Sequence, residues 1–199
     1  MRTRFVKQEV AMTLLSARQQ ALLQLARKFH LSEYRDAVGR CFAAALGLAQ
    51  AAREQGIAVH LIRWQVMDDR DFCDHWVVAC GDGMVIDLTR VQVDGKTGLL
   101  HPISSYPKNY RDMRRYCASL LLPLFEQLRV GDQDRMPFAF MWRSGMALVR
   151  HDVKTAYQAR QWRRLCRGIN EMGIFALRIV LGALQQQWIV QLQNRVPSI

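Results

Sequence analysis

Two periodicities divide this chain. From about Val10 to Phe29, apolar residues recur at helical spacing, at Leu14, Leu15, Leu22, Leu25, Ala26 and Phe29, which predicts an amphipathic helix. His30-Leu31-Ser32-Glu33 interrupts the pattern, and Ser32 is placed to cap the next helical segment. Gly39 then precedes an alanine-rich run from Cys41 to Gln55. That composition favours helix and lets neighbours pack closely; Gly56 stops it. Beyond Gly56 the period falls to two. Ile57 to Trp64 alternates as a strand does, Asp68-Asp69-Arg70-Asp71 makes an acidic turn, and Asp74 to Cys80 reads as a second strand. Gly81-Asp82-Gly83 predicts a tight hairpin turn into a third strand, Met84 to Leu88. Val91 to Tyr106, with Gly95, Gly98 and Pro102 and with Pro107 just beyond it, reads as an extended loop.

Helical spacing resumes from Tyr110 to Arg129, apolar at Met113, Cys117, Leu120, Leu121, Leu124 and Phe125, with Pro123 expected to kink or end the helix. Gly131 to Pro137 is a polar link, followed by helical runs near 152–167 and 170–194. The order of helices, then a small antiparallel sheet, then helices predicts an α+β fold. Residues 1–130 would form the main domain, with a helix about 41–55 and a sheet about 57–88. Residues 131–199 would form a helical extension packed on that domain.

Composition narrows this reading. The 199 residues are 50% hydrophobic, enough to bury a full core, and low-complexity tracts are absent. Lys and Arg number 28 against 17 Asp and Glu, a net charge of +11. Such an arginine-rich surface attracts nucleic acid or an acidic protein partner, although no nucleic-acid-binding signature accompanies it. Five cysteines with no Cys-x-x-Cys pair argue against a disulfide framework or a zinc site, and for a reducing compartment. No metal or cofactor is expected. The first apolar stretch is too polar for a secretory signal. Gly173 to Val190, which contains Arg178 and Gln185-Gln186-Gln187, is too polar and too short to span a bilayer. The expected location is the cytoplasm, or a host cytosol reached by a signal-less route.

The candidate chemistry lies in one stretch. Cys41 stands at a predicted helix start, His75 opens the second strand, and Asp87 ends the third. A cysteine nucleophile reacts as its thiolate, which helix-start N–H groups and a nearby imidazolium both stabilise. The same helix start supplies donors for an oxyanion. His75 and Asp87 are separated by an even count, so the pleat places both on one face, subject to the turn register. A carboxylate there would fix the imidazole tautomer. Each residue alone has a blander reading: a buried small thiol, a hydrogen-bonded structural histidine, a turn aspartate.

Taken in order, Gly39-x-Cys41, the small-residue helix ending at Gly56-Ile57, His75-Trp76-Val77 and Ile86-Asp87-Leu88-Thr89 resemble the transglutaminase-like branch of the papain-like cysteine superfamily. The resembling stretch runs from Gly39 to about Gln92. Phe42 beside the cysteine and Leu88, where the family carries proline, depart from its pattern. The resemblance implies that Cys41 is the nucleophile, His75 the general base and acid, and Asp87 the orienter. It implies a Cys-His-Asp enzyme acting on protein carboxamide or peptide bonds: a glutamine deamidase of the bacterial-effector type, a transglutaminase or a protease. Gly39, Arg40, Trp64, Trp76 and Gln92 would border the substrate or the oxyanion. The competing expectation is an inactive basic module binding nucleic acid or an acidic protein.

Overall fold

A computed structural model of the chain describes residues 15–67, 72–128, 137–161, 164, 166 and 168–170. The chain divides into two compact units, Met1–Arg135 and Met136–Ile199.

In the first unit, Ser16 caps helix α1 (Ala17–Ala26) through a capping box in which Ser16 Oγ accepts from Gln19 N and Gln19 Oε1 accepts from Ser16 N. The short α2 (Tyr34–Ala37) leads through Gly39, at φ 73°, into α3 (Cys41–Glu54). Glycine adopts that left-handed backbone without the Cβ crowding most other residues meet there. At the other end of α3, Ile57 N bonds Ala52 O and Gly56 N bonds Arg53 O, the Schellman closure that the Gly56 stop signal anticipates.

Five antiparallel strands come next: β1 (His60–Met67), β2 (Phe72–Gly81), β3 (Met84–Ile86), β4 (Leu100–Pro102) and β5 (Tyr110–Cys117). Their order in the open sheet is β4-β3-β2-β1-β5. The β2–β3 hairpin turns through Asp82 and Gly83, at φ 48° and 71°, the sign that a two-residue type I′ turn requires at both positions. Register decides the two faces of the sheet. Leu61 pairs with Val78 and Arg63 with Trp76, and Trp76 stacks on Phe42 of α3 with centroids 4.6 Å apart. Ile62, Trp64, Val77 and Val85 form a second cluster on the opposite face, joined by Ala79, Ile103, Tyr106 and Tyr110. A sheet covered on both faces explains why Leu61 and Ile62 are both buried despite being adjacent.

The molecule is therefore α+β with a small open antiparallel sheet, and it corrects the expected elements in three places. The segment predicted as one helix from Tyr110 begins as the edge strand β5, then forms a 3-10 turn (Ala118–Leu120) and, after α4 (Val91–Asp94) earlier in the chain, a short helix α5 (Leu122–Phe125) with Pro123 in its first turn. Pairing with β1 overrode the local spacing. Met113, assigned to the apolar stripe of that helix, is 51% exposed, whereas Tyr116 is 1% exposed. The segment expected to be loop contains α4, β4 and a 3-10 turn (Ile103–Ser105). In the second unit, helix α6 (Phe138–Gln158) buries Phe140, Ser144 and Leu148, spaced four apart. It starts earlier than the expected 152–167 run. The turn at 68–71, residues 131–136 of the polar link, the start of the first helix and the runs beyond 170 lie outside the described residues.

Candidate active site

Three elements converge on one set of side chains in the first unit. Cys41 is the first residue of α3, with Arg40 at the N-cap. Helix geometry leaves the first N–H groups without intrahelical acceptors, and Cys41 carries one of them. His75 lies on β2 directly across from Trp64 of β1. Asp87 follows the last residue of β3, and its N–H is held by Leu99 O at 2.9 Å. Because Ile86 pairs with Val78, Asp87 continues opposite Val77 and stands diagonal to His75 on the same face. That is the juxtaposition the even separation anticipates.

The contacts are tight. His75 Nε2 lies 2.9 Å from Asp87 Oδ2, and the nearby Cys41 thiol helps to raise the pKa of the same imidazole. Cys41 Sγ also lies 3.6 Å from Asp74 O, to which it donates. His75 is 3% exposed and Asp87 0%, while Cys41 retains 8%. With Nε2 committed to the carboxylate, Nδ1 is the ring nitrogen left for proton exchange. Gln92 Nε2 sits 3.3 Å from that nitrogen and 2.8 Å from Thr89 Oγ1, to which it donates.

Asp87 receives more than histidine. Tyr106 Oη donates to Oδ2 at 2.6 Å, and Thr89 N and Oγ1 donate to Oδ1 at 3.0 and 3.3 Å. Burial by itself would raise the carboxyl pKa, but the hydrogen bond and charge of His75, with the Tyr106 and Thr89 donors, hold it below the usual carboxylate range. Arg90, fully buried, lies 4.2 Å above the Tyr106 ring and is fixed by Asp94 at 3.0 and 2.6 Å and by Ser105 O at 3.1 Å. It sets the angle of the tyrosine that sets the carboxylate. For His75, burial pushes the pKa down, yet the hydrogen bonds and charges of Asp87 and Cys41 prevail and lift it to about 9.

The Gln92 contact and that raised pKa pull in opposite directions. An amide N–H at Nδ1 favours neutral imidazole, whereas a pKa near 9 means imidazolium at neutral pH. The buried carboxylate is the stronger influence, because charge at 2.9 Å in a dry site outweighs one neutral hydrogen bond. Rotating the Gln92 amide would present its oxygen to Nδ1–H.

Aromatic rings wall the site. Trp64 stacks on Tyr106 at 4.4 Å, and Tyr110 meets His75 edge-on at 5.6 Å. Of the bordering residues expected from sequence, Gly39, Arg40, Trp64 and Gln92 lie on the elements that frame the three side chains. Trp76 does not face the imidazole. As the next residue on β2 it points to the other face, where it packs between Phe42 and Tyr116. Tyr106, Tyr110, Thr89 and Arg90 were not identified from sequence. Thr89, two residues after Asp87, carried a local signal as a turn partner, but Tyr106 carried none within a stretch that read as loop.

No family model, no curated protein and no solved structure matches this chain. Among the described residues, no group of three or more His, Cys, Asp or Glu side chains could hold a metal ion, and no helix is long and apolar enough to cross a membrane.

Proposed function

We propose that the chain is a cysteine-dependent acyl-transfer enzyme of the papain-like, transglutaminase-like type, acting on protein carboxamide or peptide bonds. The observation that carries this reading is a thiol at a helix start beside an imidazole whose far nitrogen is bound by a buried carboxylate at 2.9 Å. The Cys41 thiolate attacks the carbonyl carbon, and helix-start N–H groups receive the oxyanion. His75 Nδ1–H then protonates the departing nitrogen, so that the carbon–nitrogen bond breaks and a Cys41 thioester remains. Water, deprotonated by the now neutral His75, attacks the thioester and releases a carboxylic acid and the thiol. For a glutamine side chain this is deamidation; an amine in place of water gives transamidation. Gln92, whose amide nitrogen lies 3.3 Å from His75 Nδ1, borders the position where the departing nitrogen is protonated.

The test is alkylation followed by intact mass. Iodoacetamide should modify Cys41 far faster than exposed Cys73, Cys117 or Cys166, and His75→Ala should abolish that advantage. Incubated with candidate target proteins, the enzyme should add about one mass unit for deamidation, or a larger adduct for transamidation; fragments would indicate proteolysis. A second reading, an inactive basic binding module, is favoured by the low exposure of Cys41 and the +11 charge. Equal alkylation of all accessible thiols would select it.

A further inference from the structure

A second concentration of charge lies at the opposite end of the sheet, where β1 begins and β2 ends. A cavity of about 250 Å³ is lined there by Ser16, Arg18 and Gln19 of the first turn of α1, His60 of β1, Asp82 of the hairpin turn and Arg115 of β5. Strand register builds it: Ile62 pairs with Arg115 and His60 with Cys117, so His60 and Arg115 are diagonal neighbours on one face. Arg18 reaches in from the helix and donates to Ala58 O.

The charges do not balance. Among the described residues lining it, two guanidinium groups and an imidazole face one carboxylate, Asp82, which already accepts from Gln19 Nε2 at 3.3 Å. The Cys80 thiol contributes no negative charge, since burial first and the Asp82 charge second push its pKa up to about 11. Arg115 forms no ion pair among the described residues. Arg18 sits in the first turn of α1, where a cation opposes the helix dipole, and no acidic residue stands in that turn. Folding has thus collected cations at a place where local electrostatics disfavour them. The His60 pKa is lowered by burial and then by the charges of Arg115 and Arg18, so both arginine fields reach the ring.

We infer that this cavity is an anion site for a phosphomonoester group, bound by Arg18, Arg115 and protonated His60 against the N-terminal turn of α1. The cavity is smaller than pockets that enclose drug-sized ligands, which fits a charged head with a short attachment. It uses none of the residues assigned to acyl transfer, and stands or falls separately from that reading.

Sulfate is the first probe, because its charge does not change across the range in which histidine titrates, about pH 5 to 8. Histidine Cε1–H resonances of the full chain would be followed as sulfate replaces chloride at constant ionic strength. The His60 signal should shift saturably, with its pKa rising by half a unit or more, and affinity should increase as pH falls because binding and protonation are linked. Arg115→Gln and Arg18→Gln should each weaken sulfate about threefold to tenfold, while Cys41→Ala should leave binding unchanged. O-phosphoserine and adenosine monophosphate would then compete with sulfate. Preference for the first identifies a phosphorylated side chain as source, and preference for the second a mononucleotide. A linear His60 response that chloride reproduces would overturn the proposal, as would sulfate binding indifferent to both arginine substitutions. Displacement of sulfate by neither phosphomonoester would overturn the ligand class.

Discussion

The two ends of one sheet handle charge in opposite ways. At the β3 end, Asp87 is fully buried and each oxygen has two donors. At the β1 end, Arg18, His60 and Arg115 are exposed, and among the described residues lining the cavity the one carboxylate, Asp82, is already engaged by Gln19. The first arrangement uses its hydrogen-bonding capacity internally and fixes side chains against motion. The second leaves capacity over for something outside the chain. Burial of charge costs several kcal/mol unless it is paired, so a buried, saturated cluster marks groups whose geometry matters. A solvated excess of one sign marks a surface whose partner is supplied from elsewhere.

The sharpest break in this contrast is Cys41→Ala, which should remove acyl transfer by about 10³-fold or more while leaving the β1-end cavity untouched, as read by turnover and by the His60 resonance. Full activity in that variant would end the enzymatic account. Asp87→Asn should cost roughly 10²- to 10⁴-fold in kcat, because the amide stabilises the wrong His75 tautomer. Tyr106→Phe, which deletes one donor to Asp87 Oδ2, should lower kcat about tenfold, and it should do so without raising KM if the tyrosine only positions the carboxylate.

A pH series sharpens the comparison further. The His75 pKa is raised in the folded state, so its contribution to stability is complete below about pH 6.5 and is lost as pH rises through about 9. Thermal stability should decline over that window, and catalysis should show an alkaline limb near 9 as imidazolium is lost. Asp87→Asn should flatten both. Asp87 carries the opposite sign. Its lowered pKa stabilises the fold above the ordinary carboxylate range, and that contribution disappears as pH falls through the folded value. The smallest effect belongs to the exposed ion pair of Arg53 and Glu126, whose removal should change stability by less than about 1 kcal/mol in denaturant unfolding.

Different parts of the molecule were legible to different degrees. The α3 boundaries followed from strong local signals, a left-handed glycine at each end. The β2–β3 hairpin was equally plain, because Asp-Gly fits a two-residue turn and the flanking alternation fits nothing else. Of the candidate site, Cys41, His75 and Asp87 could be named because short-range features placed them: a helix start, a strand and the strand joined to it by a tight turn. β5 is hidden in the sequence because Met113, Cys117, Leu120 and Leu121 satisfy helical spacing, and nothing within the segment records that β1 waits to pair with it. Asp112, at φ 45°, breaks the regular alternation that would have revealed a strand.

The order of residues by itself determined the helix carrying the thiol, the hairpin carrying imidazole and carboxylate, and the parity that puts those two on one face. These depend on interactions between neighbours in the chain, which composition and spacing encode. Only the tertiary structure decided that Tyr106 and Arg90 brace Asp87, that Trp76 points away, and that Arg18, His60 and Arg115 meet. Each of those outcomes joins segments distant in sequence through strand register and packing, and no local pattern specifies which distant surface a side chain will meet.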